Sequence, residues 1–191
     1  EGFALGIGLG GDGGAGGDGG TVHVHTTGIV ETHGAGAVGL FAQSVGGGGG
    51  LAGSTTGTLP FAGTVGGAGS GGEVTVEHSG DIATFGAGAH GIVAQSAGGR
   101  GTASDVTVTV DGRVYTMGSD SIGVVLQSHG EFGNGDLSLE LASGGVIFGG
   151  TGTGTAVRFL DGATNRLLNR GSILTSDRLA GTAIVGGSLD E

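Results

Sequence analysis

Residues 39–50 read GLFAQSVGGGGG, residues 91–101 read GIVAQSAGGRG, and residues 123–133 read GVVLQSHGEFG. A phrase made of glycine, three apolar residues and Gln-Ser therefore occurs three times in one chain. Active-site motifs are rarely repeated within a chain, whereas a phrase that returns every ~20 to 50 residues is typical of repeat architectures. The phrase thus indicates architecture rather than chemistry.

The residues before each phrase repeat as well. Three segments with alternating valines begin at Thr21, Glu73 and Asp105, and they align at offsets of 52 (73 − 21) and 32 (105 − 73). The larger offset reflects a loop insertion at about residues 48–72, where the chain is rich in glycine. The repeating unit itself is therefore about 32 residues long.

Two degenerate copies of the unit follow the three clear ones. The copy that begins at Asp136 keeps the alternating start and a central glycine, and the copy that begins at Thr164 keeps Gly171, Thr175 and Gly181. The first residues of the chain resemble the last third of a further unit. We therefore expect one domain over residues 1–191, with about five units, which is a piece of a longer chain.

Each unit contains three short apolar runs separated by Gly, Ser, Asp or Thr. The runs are rich in Val and Ile and alternate with a period of two, which is the pattern of β-strands. Three strands in each unit predict a three-sided solenoid, a parallel β-helix in which each turn stacks on the previous one at a spacing of about 4.8 Å.

The aligned units place like residues in the same columns. In the first run, one inward column is predicted to contain Val22, Val74, Val106 and Leu137. In the second run, the inward column is predicted to contain Val30, Ile82, Val114, Val146 and Ile173.

The third run has apolar residues on both faces. We expect Leu40, Ile92, Val124 and Ala156 to point inward, and Phe41, Val93, Val125 and Val157 to point outward. An exposed apolar strip typically marks a contact surface. Phe41, Val93 and Val125 are therefore predicted interaction residues.

The glutamines of the three phrases share another column. We expect Gln43, Gln95 and Gln127 to lie at a corner, where their amides form a ladder of hydrogen bonds. The neighbouring glycines fit such corners because glycine accepts positive φ angles.

Composition excludes several classes of protein. The chain has 52 glycines among 191 residues but no three-residue register and one proline, so it is not collagen. The net charge is −11, with six Lys and Arg residues, so there is no basic surface for nucleic acid. No run of about 18 apolar residues occurs, and membrane insertion of this segment is not expected.

Two sets of residues are weak candidates for metal binding. His23 and His25 point the same way on one strand, beside Glu77 of the next unit, but a metal site needs three or four converging ligands. Asp12 and Asp18 lie in a glycine-rich stretch similar to calcium-binding β-rolls, yet the apolar residue that such repeats need after each Asp is missing. We therefore expect no metal and no cofactor, and we expect the other four histidines at the surface.

Enzymatic activity is not expected. Glu31, Glu77 and Glu140 are scattered over two faces without Lys or Arg beside them, whereas glycoside hydrolysis needs two carboxyls about 5 to 10 Å apart. The serine of the Gln-Ser phrase has no histidine at a constant offset that could act as its base.

The loop insertion is a further candidate contact site. Loops on a rigid scaffold commonly carry function, and Leu59, Pro60 and Phe61 are apolar residues near its middle. The alternative interpretation is that the loop covers the apolar strip or is merely tolerated.

The repeating unit resembles the passenger regions of large Gram-negative autotransporter proteins. The resemblance is strongest in GAGAVGLFAQSVGGGGG and SGDIATFGAGAHGIVAQSAGG, and it extends over about residues 2–187. It implies a right-handed parallel β-helix at the bacterial outer surface or outside the cell, which mediates adhesion or self-association. The expected partner is a second copy of the chain or a surface receptor.

Two alternatives remain open. One is a self-assembling extracellular filament subunit, because open ends of a solenoid invite more of the same chain. The other is a module that binds calcium through Asp12 and Asp18, or a glycan along Thr75, Thr107 and Thr109.

Overall fold

The computed structural model describes residues 17–47, 69–176 and 182–186. This part of the chain is all-β, and no helix occurs in it. Its twelve strands are β1 (Val22–Thr32), β2 (Leu40–Val45), β3 (Val74–Thr84), β4 (Ile92–Ala97), β5 (Val106–Thr116), β6 (Val124–His129), β7 (Leu137–Leu141), β8 (Val146–Gly149), β9 (Val157–Leu160), β10 (Asn165–Asn169), β11 (Ser172–Thr175) and β12 (Ile184–Gly186).

The strands form two parallel sheets. The seven-stranded sheet has the order β1-β3-β5-β7-β10, and its strand β8 pairs with both β5 and β11. The five-stranded sheet has the order β12-β9-β6-β4-β2. Because β-branched residues alternate along these segments, their side chains fit the pleated surface of a strand.

The register of the pairs confirms the repeat found in the sequence. Val22 lies beside Val74, Val74 beside Val106, and Val106 beside Leu137. The predicted offsets of 52 (74 − 22) and 32 (106 − 74) therefore hold in the structure.

The number of strands in each unit differs from the prediction. In the first three copies, the first two apolar runs form one strand of 11 residues rather than two strands. A glycine lies in the middle of each strand, at φ values of +100° for Gly28, +132° for Gly80 and +149° for Gly112. Glycine adopts these angles without steric cost, so the ladder continues through them. The two runs are separate in the fourth and fifth copies.

The main hydrophobic core contains inward side chains from both sheets. Val74, Val106, Ile92 and Val124 all belong to it and are 0% exposed. The inward orientation predicted for the column of Leu40, Ile92 and Val124 is therefore confirmed.

The fourth copy departs from the predicted inward columns. Ile147, and not Val146, lies beside Val114 in the second run. The constant offset of 32 fails because this copy has two more residues than the third copy between its first and second runs, so that the offset rises from 31 (137 − 106) to 33 (147 − 114).

The same shift changes the third run. Val157, and not Ala156, lies beside Val124 in the inward column. The outward column consequently continues with Arg158, which lies beside Val125. The predicted outward position of Val157 is therefore wrong, and a charged residue ends the apolar column.

The serine of each Gln-Ser phrase holds the connection that follows it. Ser44, Ser96 and Ser128 are 0% exposed. The Ser96 Oγ accepts a hydrogen bond of 2.9 Å from the N–H of Ser104, and the Ser128 Oγ accepts one of 2.7 Å from Gly135. This repeated serine is thus a structural residue, a role that the sequence reasoning did not assign to it.

Candidate functional site

The outer face of the five-stranded sheet carries a second apolar cluster. Its buried members are Val93, Ile122 and Val125, against which Val38, Phe41 and Leu160 pack. This cluster is separate from the main core, as expected for an outward column. Val93 and Val125 are only 1% and 0% exposed, however, so they do not form the exposed strip that the sequence suggested. Val38 and Ile122, each two residues before a strand of this sheet, contribute to the cluster. The role of these residues as contacts remains a prediction.

A ladder of glutamine amides runs along the same face. The Gln43 Nε2 donates to the Gln95 Oε1, and the Gln95 Nε2 donates to the Gln127 Oε1 at 2.8 Å. The Gln127 Nε2 donates in turn to the Asp161 Oδ2 at 3.0 Å. The predicted ladder is therefore present, but it lies within strands β2, β4 and β6 and not at a corner.

His90, which lies two residues before β4, is buried, and the expectation that it lies at the surface is wrong. Its exposure is 8%, and its Nδ1 accepts a hydrogen bond of 2.9 Å from the N–H of Ile122. Burial lowers the pKa of His90 to about 4, and the positive charge of Arg158 acts in the same direction. The imidazole is therefore neutral at pH 7, with the remaining ring proton on Nε2.

His78 is the second buried histidine. It is 2% exposed on β3, and its Nδ1 lies 2.9 Å from the Oγ1 of Thr26. Burial lowers its pKa, although the nearby Asp81 carboxylate opposes that shift. Within the described residues its Nε2 is buried without a hydrogen-bond partner.

The predicted trio at the start of the seven-stranded sheet comes together. The Glu77 Oε2 lies 3.2 Å from the His25 Nδ1 and 3.6 Å from the His23 Nε2. All three side chains are exposed on the outer face. In the three described ranges, however, no group of three or more His, Cys, Asp or Glu side chains could hold a metal ion. The trio is a solvated cluster in which the Glu77 carboxylate lies beside two imidazole rings.

The calcium candidates are only partly described. The Asp18 Oδ1 accepts a hydrogen bond of 2.7 Å from the N–H of Ser70, so this carboxylate caps the connection of the next copy. Asp12 lies outside the described residues. Calcium binding therefore remains a prediction without structural support.

The remaining candidates on the outer faces do not converge. Glu77 lies beside Thr109, which separates it from Glu140 in the next copy. Glu140 forms an ion pair with Arg170, so the expectation that it has no basic neighbour is wrong. Thr75 and Thr107 lie side by side, but nothing further supports a glycan site.

The loop candidates Leu59, Pro60 and Phe61 lie outside the described residues. Their predicted role as contacts remains a prediction. No helix in the described part of the chain is long and apolar enough to cross a membrane.

Comparisons of the chain with protein-family models, with curated proteins and with solved structures give no match.

Proposed function

We propose that the chain is a right-handed, three-sided parallel β-helix of about five rungs, and that it serves as a structural and interaction segment of a bacterial surface or secreted passenger. In this role it mediates adhesion or self-association outside the cell. The observation that carries the proposal is the residue-for-residue register of successive copies, from Val22 beside Val74 to Val106 beside Leu137.

The strands support the three-sided arrangement. In the proposed solenoid, the two halves of each long strand, on either side of its positive-φ glycine, form two sides, and the Gln-Ser strand forms the third. Each strand pairs in parallel with the strand that lies one repeat later in the sequence. Between two such strands the chain must therefore return to the end at which the first strand began. A stack of such rungs is a stiff rod that grows by addition of repeats, which suits a protein that projects from a surface.

The resemblance to autotransporter passengers supports the same function. Glycines adjoin the strands in these repeats, and the apolar side chains fill a narrow interior. The outer faces carry threonines, histidines and glutamates that interact with water and with other surfaces.

Beads coated with the purified chain test the function. We expect coated beads to aggregate or to attach to bacterial cells, and the effect to saturate with the density of the coat. The matched control is the Gly86→Ala variant, in which the added methyl group meets the Gly34 carbonyl oxygen and obstructs the stacking of copies. Wild-type beads that neither aggregate nor attach contradict the proposal.

A further inference from the structure

We propose that the Asn134–Gly135 pair is a deamidation site that the fold keeps closed, and that the buried hydroxyl of Ser128 is the group that closes it. The pair reacts when the connection between β6 and β7, in which it lies, opens. The reactivity of this pair is independent of the function proposed above.

Asn134 is the one asparagine in the sequence that precedes a glycine. The other two, Asn165 and Asn169, each precede an arginine. Deamidation begins when the backbone nitrogen of the following residue attacks the side-chain amide of the asparagine. Glycine allows the closest approach because it has no Cβ. The sequence therefore marks Asn134 as the most reactive of the three asparagines.

The reaction consumes water and releases ammonia. The Gly135 nitrogen forms a bond to the Cγ of Asn134, its proton passes through water to Nδ2, and Nδ2 leaves as ammonia. Water then opens the resulting cyclic imide at either of its two carbonyl carbons. One opening leaves an aspartate at position 134. The other leaves an isoaspartate, in which the backbone runs through the former side chain.

The attacking nitrogen is held by a buried serine. The N–H of Gly135 donates a hydrogen bond of 2.7 Å to the Ser128 Oγ, and Ser128 is 0% exposed. The Ser128 Oγ in turn donates to the carbonyl oxygen of Ser104 at 2.9 Å, which fixes the hydroxyl. The Gly135 nitrogen must give up its proton to react, so the reaction breaks its bond to Ser128. Leaving a buried group without its partner is unfavourable, and the closed connection therefore resists the attack.

The side-chain amide of Asn134 is held at both of its polar atoms. Its Oδ1 accepts a hydrogen bond of 2.9 Å from the N–H of Gly130, and its Nδ2 donates to the carbonyl oxygen of Asp161. The bond to Asp161 is lost when Nδ2 leaves as ammonia. The closed connection thus fixes the attacked group as well as the attacking nitrogen.

The same serine bond occurs in the first two copies without an asparagine. The Oγ atoms of their Gln-Ser phrases accept hydrogen bonds from the N–H groups of Gly72 and Ser104, both at 2.9 Å. Glycine and alanine precede those two nitrogens, at positions 71 and 103. Of these three copies, the third alone therefore joins the serine bond to a reactive side chain.

Opening of the connection controls the rate. Deamidation is slow compared with local opening and closing, so its rate in the native protein is the open fraction multiplied by the rate in an unfolded chain. Ser128→Ala removes the acceptor of the Gly135 N–H and raises the open fraction. We expect Asn134 to deamidate about tenfold faster in this variant than in the wild type.

Ser44→Ala is the matched control. It removes the equivalent acceptor two copies earlier, where the N–H of Gly72 is the donor, and it leaves the bond between Gly135 and Ser128 in place. Both variants lose one buried hydroxyl, but only Ser128→Ala opens the connection that contains Asn134. Since distant sites act independently, we expect Ser44→Ala to deamidate within about twofold of the wild type.

Mass spectrometry of the peptide that contains Asn134 measures the reaction. Native wild type and both variants are incubated at neutral pH and then digested in acid, where deamidation is slow. Wild type unfolded in urea supplies the rate of the open chain. We expect the native wild type to react at least about tenfold more slowly than the unfolded chain. Circular dichroism verifies that each variant retains the fold.

A native wild type that deamidates as fast as the unfolded chain overturns the inference, because the fold then gives no protection. Equal rates in wild type and Ser128→Ala also overturn it. So does an equal acceleration in Ser44→Ala, which would make a general loss of stability the cause.

The wild type alone decides if Ser128→Ala does not retain the fold. Deamidation is then followed at urea concentrations below the unfolding midpoint. We expect its rate to depend on urea less steeply than global unfolding does, because local opening exposes less surface. An equally steep dependence overturns the inference, since Asn134 would then react only in the globally unfolded chain.

Discussion

The Nδ1 of His90 accepts a hydrogen bond of 2.9 Å from the backbone N–H of Ile122. This bond exists only while Nδ1 is unprotonated, and burial with the nearby Arg158 lowers the pKa of His90 to about 4. The unfolded chain has a histidine pKa near 6.5 and binds the proton more readily. The contribution of His90 to the free energy of unfolding is therefore complete above about pH 6.5 and is lost as the pH falls through about 4.

We expect the free energy of unfolding to fall by about 3 kcal/mol over this interval, since each pKa unit corresponds to about 1.36 kcal/mol. Urea unfolding at a series of pH values measures it. The His90→Gln variant keeps an acceptor for the N–H of Ile122 but has no titrating group at this position, so its free energy of unfolding depends less on pH. A smaller dependence of the same sign remains, because the pKa of His78 is also lowered. Identical slopes in wild type and variant exclude His90 as the cause.

The amide ladder predicts non-additive substitutions. Gln95→Leu removes the acceptor of Gln43 and the donor to Gln127, and leaves both amides with an unsatisfied group. We expect a loss of about 1 to 3 kcal/mol in urea unfolding. Replacing Gln43, Gln95 and Gln127 together by leucine leaves fewer orphaned groups, so the triple variant loses less than the sum of the single losses. Strictly additive losses argue against a cooperative ladder.

Close backbone approach predicts different effects at two glycines of one column. A methyl group at Gly86 overlaps the carbonyl oxygen of Gly34, whereas one at Gly34 meets no backbone atom of the described residues. We expect Gly86→Ala to lower stability by about 1 to 3 kcal/mol or more, and Gly34→Ala to change it by less than about 0.5 kcal/mol. Thermal unfolding at low concentration, where association is weak, compares them. Equal losses of stability in the two variants contradict the finding that the Cβ position of Gly86 points toward Gly34 of the preceding copy.

The buried serines predict a local effect. Ser96→Ala leaves the N–H of Ser104 without its 2.9 Å acceptor, and we expect a loss of about 1 to 3 kcal/mol. Hydrogen exchange measures the opening directly, because residues 98–104 should exchange faster while β4 remains protected. Ser79→Ala, at an exposed position of β3, is the control. Unchanged exchange in residues 98–104 shows that Ser96 does not hold the connection.

Much of the fold was predictable because the first three copies are nearly regular. A column such as Val22, Val74 and Val106 can be aligned by eye, and parallel pairing preserves that alignment in space. The fourth copy was not predictable in the same way. Two additional residues between Leu141 and Val146 change which side chain enters the column, and a degenerate sequence does not show where they are inserted.

The candidate site was likewise predictable only where the copies are regular. Repetition alone identified the glutamine ladder and the trio of His23, His25 and Glu77, since neighbours in a parallel ladder are neighbours in the alignment. It did not identify the burial of His78 and His90. Burial of His90 depends on what packs over its side chain from other parts of the chain. His78, in contrast, shares a column with Val110 and Leu141, and the apolar character of that column is a signal that the sequence reasoning overlooked.

The alternation and period of the amino acids establish the strands, their parallel order and the inward columns. In parallel strands, backbone hydrogen bonds place residues one repeat apart side by side, and the pleat turns their side chains to the same face. The state of His90, the charge that ends the apolar column at Arg158, and the partial burial of Val24 and Leu167 depend on contacts between distant residues. Those contacts exist only after the copies have stacked, since each strand is covered by its neighbours in the two parallel sheets.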